Sequence, residues 1–280
     1  MEKREDSNDK PEYKHGVPMV TWKMYEEDYL DRHLVHEVVE KWAKEKPNEI
    51  AFYSVNTEQE FTWEDFNKNA EAIAYKLIEM GVEKGDFVAT SLPFLPEHVF
   101  LEYACFKIGA IIAPLDLRLK PTEVIRSLGL VEPKIYAHLG ETDVADFAAM
   151  VEMVRDNVDF IEYFVQFSHP DALIEELSNA KVISAWEFAR DAMQLSRDVN
   201  SGKNEELAKK YEQMRRSVKE KDGCMVIYTT GSTGFPKPAL LTHQGITVQN
   251  LCLGWGFGMN NEEEILLCNL PPSHVGDKPN

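Results

Sequence analysis

"DFVATSLPFLPEHVFLEYACFKIGAIIAPL" fills residues 86–115, and its reading decides the fold class. "DFVATSL" is rich in strand-forming residues and reads as a strand. "PEHVFLEYACFKI" has the length of a helix, and "AIIAPL" is a short apolar run of the kind that fills a buried strand. Strand, helix and strand in so short a span are the unit from which open α/β sheets are built.

The same alternation continues on both sides. Upstream, Thr62 and Asp65 open "TWEDFNKNAEAIAYKLIEM", an amphipathic helix with Phe66, Ala70, Ile73, Leu77 and Met80 inward and Gly81 as its terminator. "EIAFYSV" (49–55) reads as a strand. Before it, Asp31 is placed to cap a helix whose apolar face is Leu34, Val35, Val38, Val39 and Trp42, with Pro47 ending it. Downstream, Pro121 suits the first turn of "PTEVIRSLGL". "KIYAHL" (134–139) is a strand, 141–157 a helix and "FIEYFVQF" (160–167) a strand. The prediction is an α/β protein of layered open sheets flanked by helices. Residues 1–30 form a polar N-terminal extension, loose over 1–20, and a charged helix or linker lies at about 195–221.

The 280-residue chain is 44% hydrophobic, ample for a large core. A net charge of −18 excludes a general nucleic-acid binder and disfavours docking on anionic lipid, while leaving room for a local phosphate pocket. "MEKREDSNDK" is too polar for a signal peptide, and the apolar run Tyr103–Leu115 is broken by Lys107, Gly109 and Pro114, short of the ~20 residues of a membrane helix. Cys105, Cys224, Cys252 and Cys268 form no CxxC pair and sit among apolar neighbours. They read as buried free thiols, and a cytoplasmic protein is expected. His33 and His36 stand i, i+3, but with no third ligand in view they read as a surface pair, and no metal site is predicted.

The chemistry concentrates in "YTTGSTGFPKPALLTH", residues 228–243. "CMVIYTT" and "ALLTH" are strand candidates on either side of a Gly-rich connection. Glycines let backbone N–H groups converge on an anion. Thr229, Thr230, Ser232 and Thr233 add hydroxyl donors and Lys237 a positive charge, the set a polyphosphate needs. The spacing is not that of a Walker A loop, because no Ser or Thr follows Lys237 and Pro236 and Pro238 flank it. The G-x-G-x-x-G spacing of kinases is absent as well.

This stretch resembles the phosphate-binding loop of the adenylate-forming superfamily, whose pattern is roughly Tyr-Thr-Ser-Gly-Ser/Thr-Thr-Gly-x-Pro-Lys-Gly followed by Thr-His. "FTWEDF" (61–66), "FKIGAIIAPLDLRLKPTEV" (106–124) and "LPPSHVG" (270–276) resemble three further motifs of that family in its order, so the likeness covers about 30–280. The resemblance implies that residues 31–280 are part of an AMP-binding large domain. It implies an enzyme that joins a carboxylic acid to ATP, releases pyrophosphate, and passes the acyl group to a thiol, usually coenzyme A. Thr229, Thr230, Gly231, Ser232, Thr233, Gly234 and Lys237 would hold the phosphates, Mg2+ would assist, and His274 would line the acyl pocket.

Three departures temper the likeness. The family's adenine, ribose and catalytic-lysine segments have no counterpart in 1–280, so the chain is expected to be the front portion of such an enzyme, inactive alone. The alternative is a module that only binds nucleotide or a partner. Pro238 replaces the family's glycine, either stiffening Lys237 or weakening the anion nest. No acidic residue lies between Leu266 and Gly276, which leans toward a fatty or aryl acid over an amino acid. A homo-oligomer through exposed apolar surface is also expected.

Overall fold

Val88, Ile112, Ile135 and Val165 point to one face of a sheet, Ala89, Ala113, Tyr136 and Phe164 to the other, and all are buried. A sheet covered on both faces needs apolar side chains at successive positions, which is why its strands read as apolar runs rather than as alternation.

The computed structural model describes residues 12–14, 17–28, 30–55, 57–142, 146–168, 172–176, 180–230, 236–259, 265–268 and 272–273. β1 (Glu12–Lys14) and β2 (Val17–Met19) pair, and α1 (Trp22–Asp28) and α2 (Val35–Glu45) follow. β3 (Ile50–Ser54) and β4 (Gln59–Thr62) form a second small hairpin ahead of α3 (Trp63–Glu79). Next come β5 (Phe87–Ser91), α4 (Pro96–Ile108), β6 (Ile111–Pro114), α5 (Pro121–Leu128), β7 (Ile135–Leu139), α6 (Ala148–Asn157), β8 (Tyr163–Phe167) and β9 (Lys181–Ser184). The described elements end with α7 (Ala185–Asn200), α8 (Glu205–Ser217), β10 (Gly223–Thr230), β11 (Pro236–Thr242) and α9 (His243–Phe257).

Seven strands make the main sheet, in the order β11-β10-β6-β5-β7-β8-β9. All pairs are parallel except β10 with β11. One face shares its core with α3, α4, α7 and α8, the other with α5 and α6. This is the layered α/β architecture the alternation predicts. The helix "PEHVFLEYACFKI" forms as read, and the predicted inward residues of α3 are all buried. Thr62 caps α3 by accepting from Asp65 N at 3.1 Å, and Asp65 returns the bond to Thr62 N.

Several expectations are corrected. The strand read at 49–55 pairs only with β4 and stays outside the main sheet. Asp31 does not cap α2: Glu37 reaches back to Leu34 N at 2.9 Å, while Asp31 pairs with Lys41. His33 and His36 are no surface pair, because His36 is 1% exposed, turned into the core against the His243 ring. Cys105 and Cys224 are buried thiols, but Cys252 and Cys268 are exposed. α9 buries only the side that bears His243, Ile246, Thr247 and Leu251, and Cys252 falls off it. Cys268 stands beside exposed Ile265 and Leu267. Residues 185–217 form two helices, and α8 docks through Leu207, Tyr211 and Met214. Within 1–30, α1 buries Met24 and Tyr25. Among the described residues, no helix is long and apolar enough to cross a membrane.

Candidate functional site

β10 runs parallel to β6, so Thr229 and Thr230 stand at the carboxyl end of the sheet, the end shared by Ser91 and Leu139. Ligand crevices of open α/β sheets lie at that end. The apolar run Cys224–Ile227 is buried and fixes β10 in the sheet, and the chain emerges from the core at Tyr228. β11 then returns antiparallel, with Thr229 opposite Lys237 and Thr230 opposite Pro236. Thr229 Oγ1 donates to Lys237 O at 3.3 Å. Thr229 and Lys237 are both exposed. A residue with a hydroxyl and a residue with an ammonium, both exposed, thus face each other across the ladder one pair before the connection 231–235.

The two prolines around Lys237 have a structural reason. β11 is the outer strand of the sheet, and only an edge strand tolerates residues that cannot donate to a neighbour. Pro238 lies inside the ladder opposite Tyr228, so it acts on the strand that carries Lys237. Gly231, Ser232, Thr233, Gly234 and His274 lie outside the described residues.

The far end of the hairpin is anchored by a residue to which the sequence assigned no role. His243 begins α9, is fully buried, and accepts the Val35 N–H at Nδ1, 3.2 Å away. That bond puts the imidazole proton on Nε2, which has no partner among the described residues. Burial drives the His243 pKa down to about 4, against the pull of Asp222. The Thr-His pair closing the motif was the available signal. Thr242 caps α9, accepting from Gly245 N at 3.0 Å. His138, at the carboxyl end of β7, is likewise buried and driven down to about 4.

Chemically, the hairpin offers an anion the positive charge of Lys237, while the Thr229 hydroxyl gives its one proton to Lys237 O and would have to turn from it to donate to a ligand. Its donor set fits phosphate oxygens. Among the described residues, no group of three or more His, Cys, Asp or Glu side chains could hold a metal ion by itself, and a magnesium ion that accompanies a polyphosphate is held mainly by phosphate oxygens and water. An apolar cavity between α3, α4, α7 and strands β7 and β8 holds about 30 Å³. That is room for a water or two, and too little for a substrate acid.

Comparison with known proteins agrees with this geometry. A family model described as "AMP-binding enzyme" matches residues 39–277. The long-chain-fatty-acid–CoA ligase FadD13 of Mycobacterium tuberculosis is 25% identical over 234 residues, 83% of this chain and 39% of its own. The acetyl-coenzyme A synthetase of Bacillus subtilis is 26% identical over 251 residues, 86% of this chain and 37% of its own. Malpibaldin synthetase of Mortierella alpina is 27% identical over 227 residues, 81% of this chain and 3% of its own. The solved structure of VinN superposes with a TM-score of 0.59 at 20% identity, covering 86% of this chain and 51% of its own. The N-terminal domain of FACL13 from Mycobacterium tuberculosis gives a TM-score of 0.53 at 21% identity, covering 76% and 45%. The chain thus spans well under half the length of these curated relatives.

Proposed function

This chain belongs to the AMP-binding enzyme family, and from that premise we propose that it is the N-terminal part of an ATP-dependent acyl-CoA synthetase. A carboxylate oxygen of the acid attacks the α-phosphorus of ATP, the bond from that phosphorus to its bridging oxygen breaks, and pyrophosphate leaves. The thiol of coenzyme A then attacks the acyl carbon, AMP leaves, and the thiol proton passes to solvent. The residues here act on the leaving group. Lys237 and Thr229, with Thr230, Gly231, Ser232, Thr233 and Gly234, hold the β- and γ-phosphates and keep the departing pyrophosphate in line. The observation that carries this reading is the pairing of Thr229 with Lys237 across an edge hairpin at the carboxyl end of the sheet.

The acid is a fatty or aryl acid: the stretch Leu266–Gly276 offers no carboxylate to hold an amine. His274 lines the acyl pocket. Calorimetry with ATP and with pyrophosphate tests the phosphate grip. Both bind the chain, and Lys237→Ala weakens both about tenfold or more, since hydrogen bonds to charged groups are the stronger kind. Equal binding by the variant removes the proposed role of Lys237. A second reading, a module that works through a partner, is favoured by Phe257, Ile265 and Leu267, exposed by 74%, 96% and 80%. Light scattering in which mass rises with concentration supports association through this surface, and a monomer throughout counts against it.

A further inference from the structure

One histidine joins the N-terminal strap to the base of the β10–β11 hairpin. His33 stacks on the Tyr25 ring at 4.3 Å, and its Nε2 lies 2.9 Å from the Tyr25 carbonyl. Its Nδ1 lies 3.5 Å from Oε2 of Glu220, in the turn that leads from α8 into β10. The same carboxylate accepts from Gln244 Nε2 at 3.2 Å, and the Glu220 carbonyl accepts from Gln244 N at 2.7 Å, in the first turn of α9. The strap, the entry to β10 and the start of α9 therefore meet at this imidazole.

The Tyr25 carbonyl decides where the ring proton sits. A carbonyl only accepts, so Nε2 carries the hydrogen, and the neutral ring turns a bare Nδ1 toward Glu220. Two acceptors then face each other, and that side of the ring holds nothing. A proton on Nδ1 makes it a donor to a carboxylate, a charge-assisted contact. The other groups around the ring favour the same state or are already matched. Glu37 of α2, whose carboxylate accepts from Leu34 N, is drawn to the charged ring. Asp31 is taken up by Arg32 and Lys41, and the Tyr25 hydroxyl is engaged with Thr247.

We propose that His33 and Glu220 form a proton-dependent latch: protonation of His33 fastens α1 to the turn before β10, and loss of the proton releases the strap. The latch does not depend on what the hairpin binds. Because the fastened form holds the proton, its contribution is present on the acid side of the ordinary histidine range and is lost as pH rises through it. The two side chains are 21% and 36% exposed, so the expected effect is that of a partly screened ion pair, about threefold.

Hydrogen exchange over residues 22–28, corrected for the intrinsic rate at each pH, tests the latch in the whole chain between about pH 8 and pH 6. β5 is read alongside, because the buried His138 and His243 act on the whole fold. In the wild type, protection of 22–28 rises about threefold toward pH 6 relative to β5. His33→Gln removes this rise. Glu220→Gln separates a latch from a mere contact: its amide oxygen still accepts from Gln244, and its N–H donates to the bare Nδ1. Protection in that variant exceeds the wild type at pH 8 and does not rise toward pH 6. Wild-type protection that stays level with pH relative to β5 overturns the proposal. A Glu220→Gln strap that tightens with acid as the wild type does overturns it as well, since another group then carries the response.

Discussion

Lys107 Nζ, on a side chain 1% exposed, donates to Glu40 Oε1 at 2.6 Å and to Asn67 Oδ1 at 2.8 Å. Arg215 of α8 binds the same carboxylate. One carboxylate of α2 therefore ties α4 and α8 together, and the partners are not equivalent. Glu40→Ala leaves a buried ammonium with a single amide oxygen and is expected to destabilise by about 3–5 kcal/mol. Lys107→Met leaves Glu40 paired with Arg215 and removes a buried charge, so about 1 kcal/mol is expected. Thermal melts decide: Glu40→Ala falls by roughly 6 °C or more, on the scale of 2–4 °C per kcal/mol for domains of this size. A smaller fall than in Lys107→Met contradicts the tie. Burial alone would raise the Glu40 pKa, but Arg215 and Lys107 outweigh it and hold the carboxyl at about 2. Because that pKa is depressed, the contribution is present above the unfolded carboxyl range and is lost as pH falls toward 2.

A second acid-sensitive element acts at higher pH. Burial holds the His243 and His138 pKa values at about 4, below that of an unfolded histidine. The unfolded chain takes up these protons first, so stability is full above about pH 6.5 and declines toward pH 4, by on the order of 3 kcal/mol for each histidine. At His243 the neighbouring groups are Asp222, Lys84 and the His36 ring, and the Val35 N–H repels a protonated Nδ1. His243→Gln is expected to lower stability at pH 7.5 and to flatten the decline between pH 6.5 and 4, measured by urea unfolding across that range. An unaltered slope removes His243 from the acid response.

Pro238 offers a test of the edge strand. Its ring restricts the unfolded chain, and it pairs with Tyr228 across the ladder. Pro238→Gly adds a donor that faces no further strand and frees the unfolded backbone, so a loss of about 1 kcal/mol is expected. A melting temperature that stays level or rises would show that glycine suits this position better.

What the sequence disclosed divides along physical lines. The central strands and α3 and α4 were legible because their apolar residues are packed by the elements next to them in the chain. β4 was hidden because "TEQEF" is polar, and a hairpin outside the main sheet needs little apolar surface. The burial of His36 was hidden because it is enforced by His243 of α9, far away in sequence. Thr229 and Lys237 were legible as types and spacing, and their pairing appears once β10 and β11 are in register. The tie from Tyr228 to α5 was not, since nothing in "IYTTGS" points to the carbonyl of Ser127.

The N-terminal strap supplies the last test. The Tyr25 ring stacks on His33 at 4.3 Å, and its hydroxyl lies 2.9 Å from Thr247 Oγ1. The Thr247 proton points to the His243 carbonyl at 3.1 Å, so Tyr25 donates and α1 is fastened to the first turn of α9. Tyr25→Phe keeps the stacked ring and leaves Thr247 without that donor, so a loss of about 1 kcal/mol is expected, confined to the strap. Tyr25→Ala also empties a site that is 2% exposed, and about 3–4 kcal/mol is expected. Limited proteolysis separates a local fastening from a global one. Cleavage at Lys14 and Lys23 accelerates in both variants, while cleavage within α3 and α4 accelerates only in Tyr25→Ala. Equal resistance at Lys23 in Tyr25→Phe and wild type would show that the hydroxyl contributes nothing to holding the strap.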